Sequence, residues 1–380
     1  MARLATFLAI APRQLGLTIV LRRRALGGGV LHSKFACLVT GGAGFIGSHL
    51  VEALVRLGHT VRVVDNLSTG DEANLAPVAD SIDFIVGDLC DPIVAERAVD
   101  GIEIVFHLAA LPSVPRSLKD PWGSHDANVN ATVRLLEASR AAGVRRVVYS
   151  SSSSVYGDTP TLPKVETMEP LPRSPYAASK LSSEQYVLSY ARGGLVEGVA
   201  LRYFNVFGPR QSPFSAYAAV IPLFLQAAAT GTSVTVYGDG EQTRDFTYVA
   251  NVVQANLRAA SAPAEVASGW PVNVGAGQRT SLNMMLDLAR EVTGVDIPAE
   301  YKPPRAGDVR DSLASLDRTS RLIGYNPTID LREGLVRTWR WLQTRRALET
   351  LTSSGFVTTL IAGRTQFAGA RREVVSNRYP

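Results

Sequence analysis

The tightest constraint in this sequence lies at residues 35–50, where an apolar run breaks into glycines and resumes with helical periodicity. Residues 37–40 read as a short buried strand, and Ile46, Leu50, Val51, Leu54 and Val55 fall on one stripe of a helix. Gly41, Gly44 and Gly47 mark the junction. In such a turn the first glycine permits the sharp reversal, the second lets the backbone approach a pyrophosphate, and the third lets the helix pack against the strand, with its N-terminus aimed at an anion. A dinucleotide is the implied ligand.

Three glycines also suit a plain tight turn, so the context decides. A second strand, residues 60–64, ends in Asp65, 24 residues after Gly41. That is near the separation expected for the acid that bonds an adenosine ribose. A carboxylate there repels a 2′-phosphate, and neither Asn66 nor Leu67 brings an arginine, so NAD is expected over NADP. Arg62, inside the strand, is the cation that argues the other way.

Short apolar segments continue at residues 83–86, 104–108, 146–149 and 198–202, separated by helix-forming stretches. This alternation predicts an α/β chain with a doubly wound parallel sheet and a smaller C-terminal lobe. The expected divisions are an N-terminal extension at 1–34, a dinucleotide-binding unit at 35–203, a substrate lobe at 204–342 with segments returning to the first unit, and an unassigned tail at 343–380. In such sheets ligands sit beyond the carboxyl ends of the strands, which brings Asp88, Leu89 and residues 107–110 toward the cofactor. A plain helix cap would also account for Asp88.

The net charge is +5, which raises the question of nucleic acid. Much of that charge is terminal: no Asp or Glu precedes Glu52, whereas Arg3, Arg13, Arg22, Arg23, Arg24 and Lys34 do. The remainder is nearly balanced and has no aromatic-interleaved basic patch, so a nucleic-acid partner is not expected. The apolar, arginine-bearing start resembles a targeting segment, but its apolar stretches, 4–11 and 15–21, are each too short to span a bilayer. A flexible extension, or an upstream start codon chosen in error, fits it as well as a targeting segment does. No stable membrane insertion is expected. Cys37 and Cys90 form no disulfide framework and suit a reducing, cytoplasmic setting. His32, His49, His59, His107 and His125 show no metal spacing, and no metal is expected.

The chemistry-bearing stretch is the run Ser150 to Ser154, followed by Val155-Tyr156-Gly157 and then by Tyr176-Ala-Ala-Ser-Lys180 after Pro175. Four residues apart on a helix, Tyr176 and Lys180 share a face. A phenol near pKa 10 is a poor base at neutral pH, but a neighbouring lysine and a cationic nicotinamide both favour the phenolate. A serine at a strand end can hold the substrate oxygen as its proton moves.

Taken in order, the glycine turn, Asp65, the serine run and Tyr176/Lys180 resemble the extended short-chain dehydrogenase/reductase family over residues 35–342. The resemblance implies that Tyr176 is the general base or acid, that Lys180 lowers its pKa and holds the nicotinamide ribose, and that Ser152 positions the sugar hydroxyl. Ser152 is chosen for a pattern similar to Ser-Ser-x-x-Val-Tyr-Gly, and Ser153 is the other candidate. Cofactor contacts are implied for Gly41, Gly44, Phe45, Ile46, Gly47, Asp65, Asn66, Ser68, Gly70, Asp88, Leu89, Leu108, Ala109, Ala110, Tyr176, Lys180 and Phe204.

The segment 201–211, Leu-Arg-Tyr-Phe-Asn-Val-Phe-Gly-Pro-Arg-Gln, is similar to the one in which Phe204 faces the nicotinamide and Asn205 binds a nucleotide-sugar diphosphate. The resemblance gives Arg244 and Arg305 to the diphosphate and Asp308 to the nucleoside ribose, with Ser113, Ser152, Ser153, Val220 and Tyr237 also along the substrate. Within the family, residues 109–117, the Phe-Asn-Val-Phe-Gly segment and Gly238-Asp-Gly-Glu241 most resemble NAD-dependent UDP-N-acetylglucosamine 4-epimerases of bacterial polysaccharide pathways. Relatives with dehydratase or decarboxylase chemistry carry an acid just after the catalytic hydroxyl, where this chain has Ser153 and Ser154. Ser312 stands at the implied gatekeeper position, where a small side chain leaves room for an N-acetyl group.

The implied function is reversible C4 epimerisation of a UDP-hexose, with a UDP-glucose 4-epimerase or a UDP-glucuronate-acting relative as alternatives, and a non-catalytic NAD-binding scaffold as a third. A homodimer through residues 129–142 and 184–190 is expected by the same resemblance. Two departures stand out. Asn251 replaces an Asp common after Tyr-Val-x, and Ser315 replaces an Asp after Ser-Leu-Ala. The tail from Gln343 matches nothing in the family and fits either disorder or an added helix.

Overall fold

The computed structural model describes residues 34–213, 219–304 and 309–353, with side chains to residue 347. Seven parallel strands form the central sheet. Six are β1 (Ala36–Thr40), β2 (Thr60–Asp65), β3 (Ile82–Val86), β4 (Ile104–His107), β5 (Arg146–Ser152) and β6 (Glu197–Tyr203), and the seventh is Trp270–Val274. Their spatial order is Trp270–Val274, β6, β5, β4, β1, β2, β3. The order reverses between β1 and β4, which opens a crevice at their carboxyl ends.

Apolar residues on both faces of the strands bury the sheet on two sides, as a parallel sheet requires. Cys37 and Val39 of β1 face a core that also contains Leu50, Val51 and Leu54 from helix α1 (Phe45–Arg56) and Val252, Ala255 and Ala259 from the helix Val249–Ser261. Leu38, between them, faces the opposite core with α2 (Pro92–Val99), α5 (Ala131–Ala141) and α6 (Pro175–Arg192). The short helices α3 (Val114–Lys119) and α4 (Pro121–His125) precede a π turn, Asp126–Asn130, which runs into α5. Residues 129–142, read from the sequence as one helix, therefore begin inside that turn.

One strand runs further than the apolar pattern indicates, and another lies outside it. Ser150, Ser151 and Ser152 continue β5 because β6 pairs with them in register up to Ser152↔Tyr203. The seventh strand, absent from the sequence reading, pairs with β6 from Trp270↔Val199 to Val274↔Tyr203.

A second core gathers Phe207, Ile221, Phe224, Leu225, Val236, Phe246, Met285, Leu286 and Leu335. It is built from the helices Val220–Thr230, Leu282–Thr293 and Leu331–Ser353 and from three two-stranded pieces. The last helix carries the chain ten residues past Gln343, so the start of the unmatched tail is helical. Asn251, in place of the familiar acid, is fully buried. Its oxygen accepts from the Thr328 and Ile329 N–H groups, at 3.0 and 3.1 Å, while its amide donates to the Ile329 carbonyl at 2.8 Å. An aspartate could make the first two bonds but not the third.

Candidate active site

The cleft at the sheet's switch point encloses about 1010 Å³. Gly41 shapes its floor. At φ +68°, a conformation that glycine adopts without strain, its missing side chain lets the chain pass the Ala109 backbone, which a Cβ would meet at 2.8 Å. Gly47 has no room for a side chain either, because one would strike the Gly41 carbonyl and the Gly42 Cα. The third glycine thus packs helix α1 on the turn itself rather than on the strand. No side chain caps the N-terminus of α1 and no acid lies in its first turn, which leaves that end suited to an anion.

Asp65 closes β2 beside this turn. Its two oxygens accept from the Ala43 N–H at 3.0 Å and the Leu67 N–H at 2.9 Å. Each keeps a free acceptor site, so the carboxylate can still take a ribose diol. Burial raises the Asp65 carboxyl above its ordinary range, against the pull of those two bonds. At the next strand end, burial also raises Asp88, but the Cys90 N–H and the Asn66 amide, at 2.8 and 2.9 Å, outweigh it and hold the carboxyl below its usual value. Glycine cradle, uncapped helix end and Asp65 together fit a dinucleotide.

The opposite wall rests on a proton network that can be read in full. Thr132 Oγ1 gives its single proton to the Asn128 carbonyl at 2.5 Å, so toward His107 Nε2, 2.9 Å away, it can only accept. His107 is fully buried, and burial, followed by the Lys180 charge, pushes its pKa down to about 3. The ring is therefore neutral, protonated at Nε2 and bare at Nδ1. Thr40 Oγ1, 2.7 Å from Nδ1, must donate to it, which frees its lone pairs for the Leu108 and Ala109 N–H groups, both at 3.1 Å. Three side chains on separate elements thus fix the backbone that Gly41 approaches.

Tyr176 and Lys180 sit one turn apart near the start of α6, where Pro175 occupies the first turn and the Ser174 side chain caps the Ala177 N–H. The Ser152 hydroxyl, at the end of β5, lines the cleft beside the phenol. It also accepts from the Ser154 N–H at 3.1 Å and from Ser154 Oγ at 2.9 Å. Burial raises the Tyr176 phenol above its ordinary value, and the Ser152 hydroxyl opposes that shift. Burial likewise pushes Lys180 down to about 7, opposed by Glu184. The ammonium lies 4.4 Å over the Tyr149 ring. Asn128, from the π turn, ties this region together, bonding Ser179 Oγ at 2.9 Å and the Leu111 N–H at 2.7 Å.

On the other side of the cleft, Ser312 Oγ lies 3.4 Å from Asn205 Oδ1 and accepts from the Asp245 N–H at 3.4 Å. Arg244 Nη1 is held by the Thr243 and Arg310 carbonyls at 2.9 and 2.8 Å. Gly41, Gly44, Phe45, Ile46, Gly47, Asp65, Asn66, Ser68, Asp88, Leu89, Leu108, Ala109 and Ala110 line the cleft on the cofactor side. Ser113, Ser152, Ser153, Tyr176, Lys180, Phe204, Asn205, Arg244 and Ser312 line the rest.

Three expected residues stand apart from that lining. Gly70 packs behind Asp65, whose Oδ2 a Cβ would meet at 2.9 Å. Val220 opens a helix packed on the second core, and its neighbour Ala219 faces the cleft instead. Tyr237 ends the strand Val234–Tyr237, away from the lining. Arg305 and Asp308 lie outside the described residues. Arg116, Lys164 and Gln211 also line the cleft and were not anticipated. No local pattern singles out Lys164, which reaches the wall through a bridge between its backbone and Ala314.

A tyrosine–lysine pair beside a strand-end serine, facing a dinucleotide cradle, is the architecture of the extended short-chain dehydrogenase/reductases. Residues 37–275 match the NAD dependent epimerase/dehydratase family. A UDP-glucose 4-epimerase of Mycolicibacterium smegmatis is 41% identical over 305 residues, covering 79% of this chain and 96% of the relative. Among solved structures, the UDP-N-acetylglucosamine 4-epimerase of Methanobrevibacter ruminantium, in complex with UDP-N-acetylmuramic acid, is 40% identical with a TM-score of 0.78, over 82% of this chain and 99% of that one. A Thermus thermophilus UDP-glucose 4-epimerase in complex with NAD is 36% identical with a TM-score of 0.75, over 81% and 99% of the two chains. The chain belongs to the NAD dependent epimerase/dehydratase family and is an NAD-dependent enzyme.

Proposed function

We propose that the protein inverts C4 of a UDP-hexose reversibly, with UDP-N-acetylglucosamine as the preferred substrate and UDP-N-acetylgalactosamine as its product. The carrying observation is the set of groups around Tyr176. Ser152, Ser153 and Ser154 surround the phenol's side of the cleft with hydroxyls and no acid, a composition suited to oxidation and reduction at one carbon and not to elimination or decarboxylation.

When bound, NAD supplies reversible two-electron oxidation at C4, balanced over the full cycle. The glycine turn, the α1 N-terminus and Asp65 hold the dinucleotide, with Lys180 toward its second ribose. Tyr176, as phenolate, takes the C4 hydroxyl proton, and Ser152 holds the sugar oxygen while that proton moves. Asn205 and Arg244 retain the diphosphate, joined in this proposal by Arg305, with Asp308 on the nucleoside ribose. The keto sugar can then turn over within one enclosed cleft and receive its proton back from Tyr176 on the other face. Holding all reacting groups in one cleft replaces a bimolecular encounter by a positioned one.

Ser312 supports the N-acetylated substrate, since its small side chain beside Asn205 leaves volume at the sugar end. UDP-glucose is the second reading, favoured by the relative from M. smegmatis. Incubation with a panel of UDP-sugars, with products resolved by stereochemistry, tests both; turnover of none would overturn the proposal. A cytoplasmic homodimer completes it. Its support is that Cys37 and Cys90 are free thiols, that no helix among the described residues is long and apolar enough to cross a membrane, and that α5 and α6 lie side by side with Tyr186 exposed. Light scattering at the monomer mass would refute the dimer.

A further inference from the structure

Helix α6 carries a third group on the face of Tyr176 and Lys180. Glu184 follows Lys180 by one turn, so the three residues form an i, i+4, i+8 row. Tyr176 and Lys180 line the cleft; Glu184 lies behind them, fully buried, in a layer that no ligand residue occupies. There it meets Arg202 of β6 in a two-point pair, Nη2 to Oε1 at 2.6 Å and Nε to Oε2 at 3.0 Å. Ser151 Oγ donates to Oε2 at 2.6 Å. The guanidinium also stacks 4.7 Å from the centre of the Tyr156 ring, while the Tyr156 hydroxyl donates to Asn273 of the seventh strand at 2.6 Å. The pair thus fastens α6 to β5, β6 and the strand beyond.

A buried ion pair is weak evidence for stability, since apolar residues of similar size often serve as well. Its placement calls for another explanation, and the one at hand is Lys180. That ammonium is almost completely buried. The groups that face it are Tyr149 on β5, neutral His107 on β4, and Tyr176 and Glu184 on its own helix. The adjoining π turn offers the uncharged Asn128, bonded to Ser179, while its Asp126 is engaged by Asn130. Arg116 and Lys119 ride on α3, His125 on α4, and Asp120 at their junction. From β6, Arg202 reaches Lys180 only through Glu184. Glu184, buried one turn further along the same helix, is the anion whose charge raises the lysine.

We propose that Glu184, anchored by Arg202, is a positioning residue that keeps the Lys180 ammonium charged and oriented under the cleft. The proposal rests on the site reading above, in which a charged Lys180 serves Tyr176. It does not depend on which sugar is turned over. Burial pushes Lys180 down and Glu184 pushes it back, which is the direction the proposal requires.

The test uses the five lysines of the chain, Lys34, Lys119, Lys164, Lys180 and Lys302. Full-length protein labelled with ¹³C at the lysine ε-carbon, purified with its NAD, gives five signals, and Lys180→Met identifies the one of interest. Glu184→Gln keeps the size and hydrogen-bonding reach of the side chain and removes its charge. It is expected to lower the Lys180 titration midpoint by about one unit or more, the scale for losing a neighbouring opposite charge. The other four signals should stay in place. Glu184→Asp, which keeps the charge, should stay near the parent midpoint. An unchanged midpoint in a folded Glu184→Gln protein, or equal shifts for Gln and Asp, overturns the proposal. Should Glu184→Gln fail to fold, Glu184→Gln with Arg202→Gln removes both charges, and a parent-like midpoint there overturns it as well. Failure of the parent to turn over any UDP-sugar would count against the function proposed above and leave the titration readable.

Discussion

Arg62 and Asp83 face each other in register across β2 and β3, with the guanidinium Nε 2.6 Å from the carboxylate. The same arginine donates to the carbonyls of Arg97, Ala98 and Asp100 at the end of α2. The one cation near Asp65 that spoke for NADP is thus committed to the outer strands and does not line the cleft.

Asp65→Ala should therefore weaken NAD by about 1 to 3 kcal/mol, the cost of leaving buried polar groups unpaired. It should also narrow the preference over NADP. Titration of both dinucleotides against parent and variant checks this. A parent that binds NADP more tightly than NAD would contradict the role given to Asp65.

Tyr176→Phe keeps the ring and removes the ionisable oxygen. Turnover should fall by roughly 10²-fold or more, the usual scale for a positioned acid or base, with NAD affinity retained. Turnover assays on dinucleotide-loaded protein decide the point, and near-parent rates would remove Tyr176 from the chemistry.

His107 makes a prediction about acid stability. Its pKa is about 3 in the fold, whereas an unfolded histidine takes a proton near 6.5. Between those values the unfolded chain binds a proton that the folded chain refuses, so the contribution is complete above pH 6.5 and is lost as pH falls toward 3. His107→Gln should be less stable than the parent at pH 7, yet the gap should shrink by about 2 kcal/mol on acidification to pH 5. Denaturant melts of both proteins at the two pH values measure the difference, and a constant gap would refute it.

Ser312→Tyr would crowd the sugar end of the cleft beside Asn205. Overpacking on the order of 1 to 3 kcal/mol should fall on an N-acetylated sugar and spare a plain hexose. The expected result is a loss of roughly 10-fold or more in kcat/KM for UDP-N-acetylglucosamine, with UDP-glucose little changed. Equal losses on the two would mean that Ser312 acts through folding or nucleotide binding.

What the sequence made legible follows the range of its signals. The β1–turn–α1–β2 unit and the Tyr176/Lys180 face are local patterns, short apolar runs and a 3.6-residue helical stripe joined by a glycine turn, and the structure has them where the residues place them. Trp270–Val274 was missed because Pro271 argues against a strand. It is tolerated because this is the edge of the sheet, where a missing N–H leaves no neighbour unpaired. Thr40, Thr132 and His107 form one network across 92 residues of chain, and no local pattern announces it. Gly70, Val220 and Tyr237 were placed by resemblance alone; Gly70 packs behind Asp65, and Val220 and Tyr237 lie beyond the lining.

The seventh strand also bears on how this protein can be divided. A fragment ending at Tyr203 would keep every dinucleotide contact proposed here up to that point, yet it would leave β6 with a bare row of backbone donors and acceptors along Val199–Tyr203. Such an edge recruits strands from other chains. Expressed alone, the nucleotide-binding half should aggregate, and restoring residues 270–274 should be what returns it to solution.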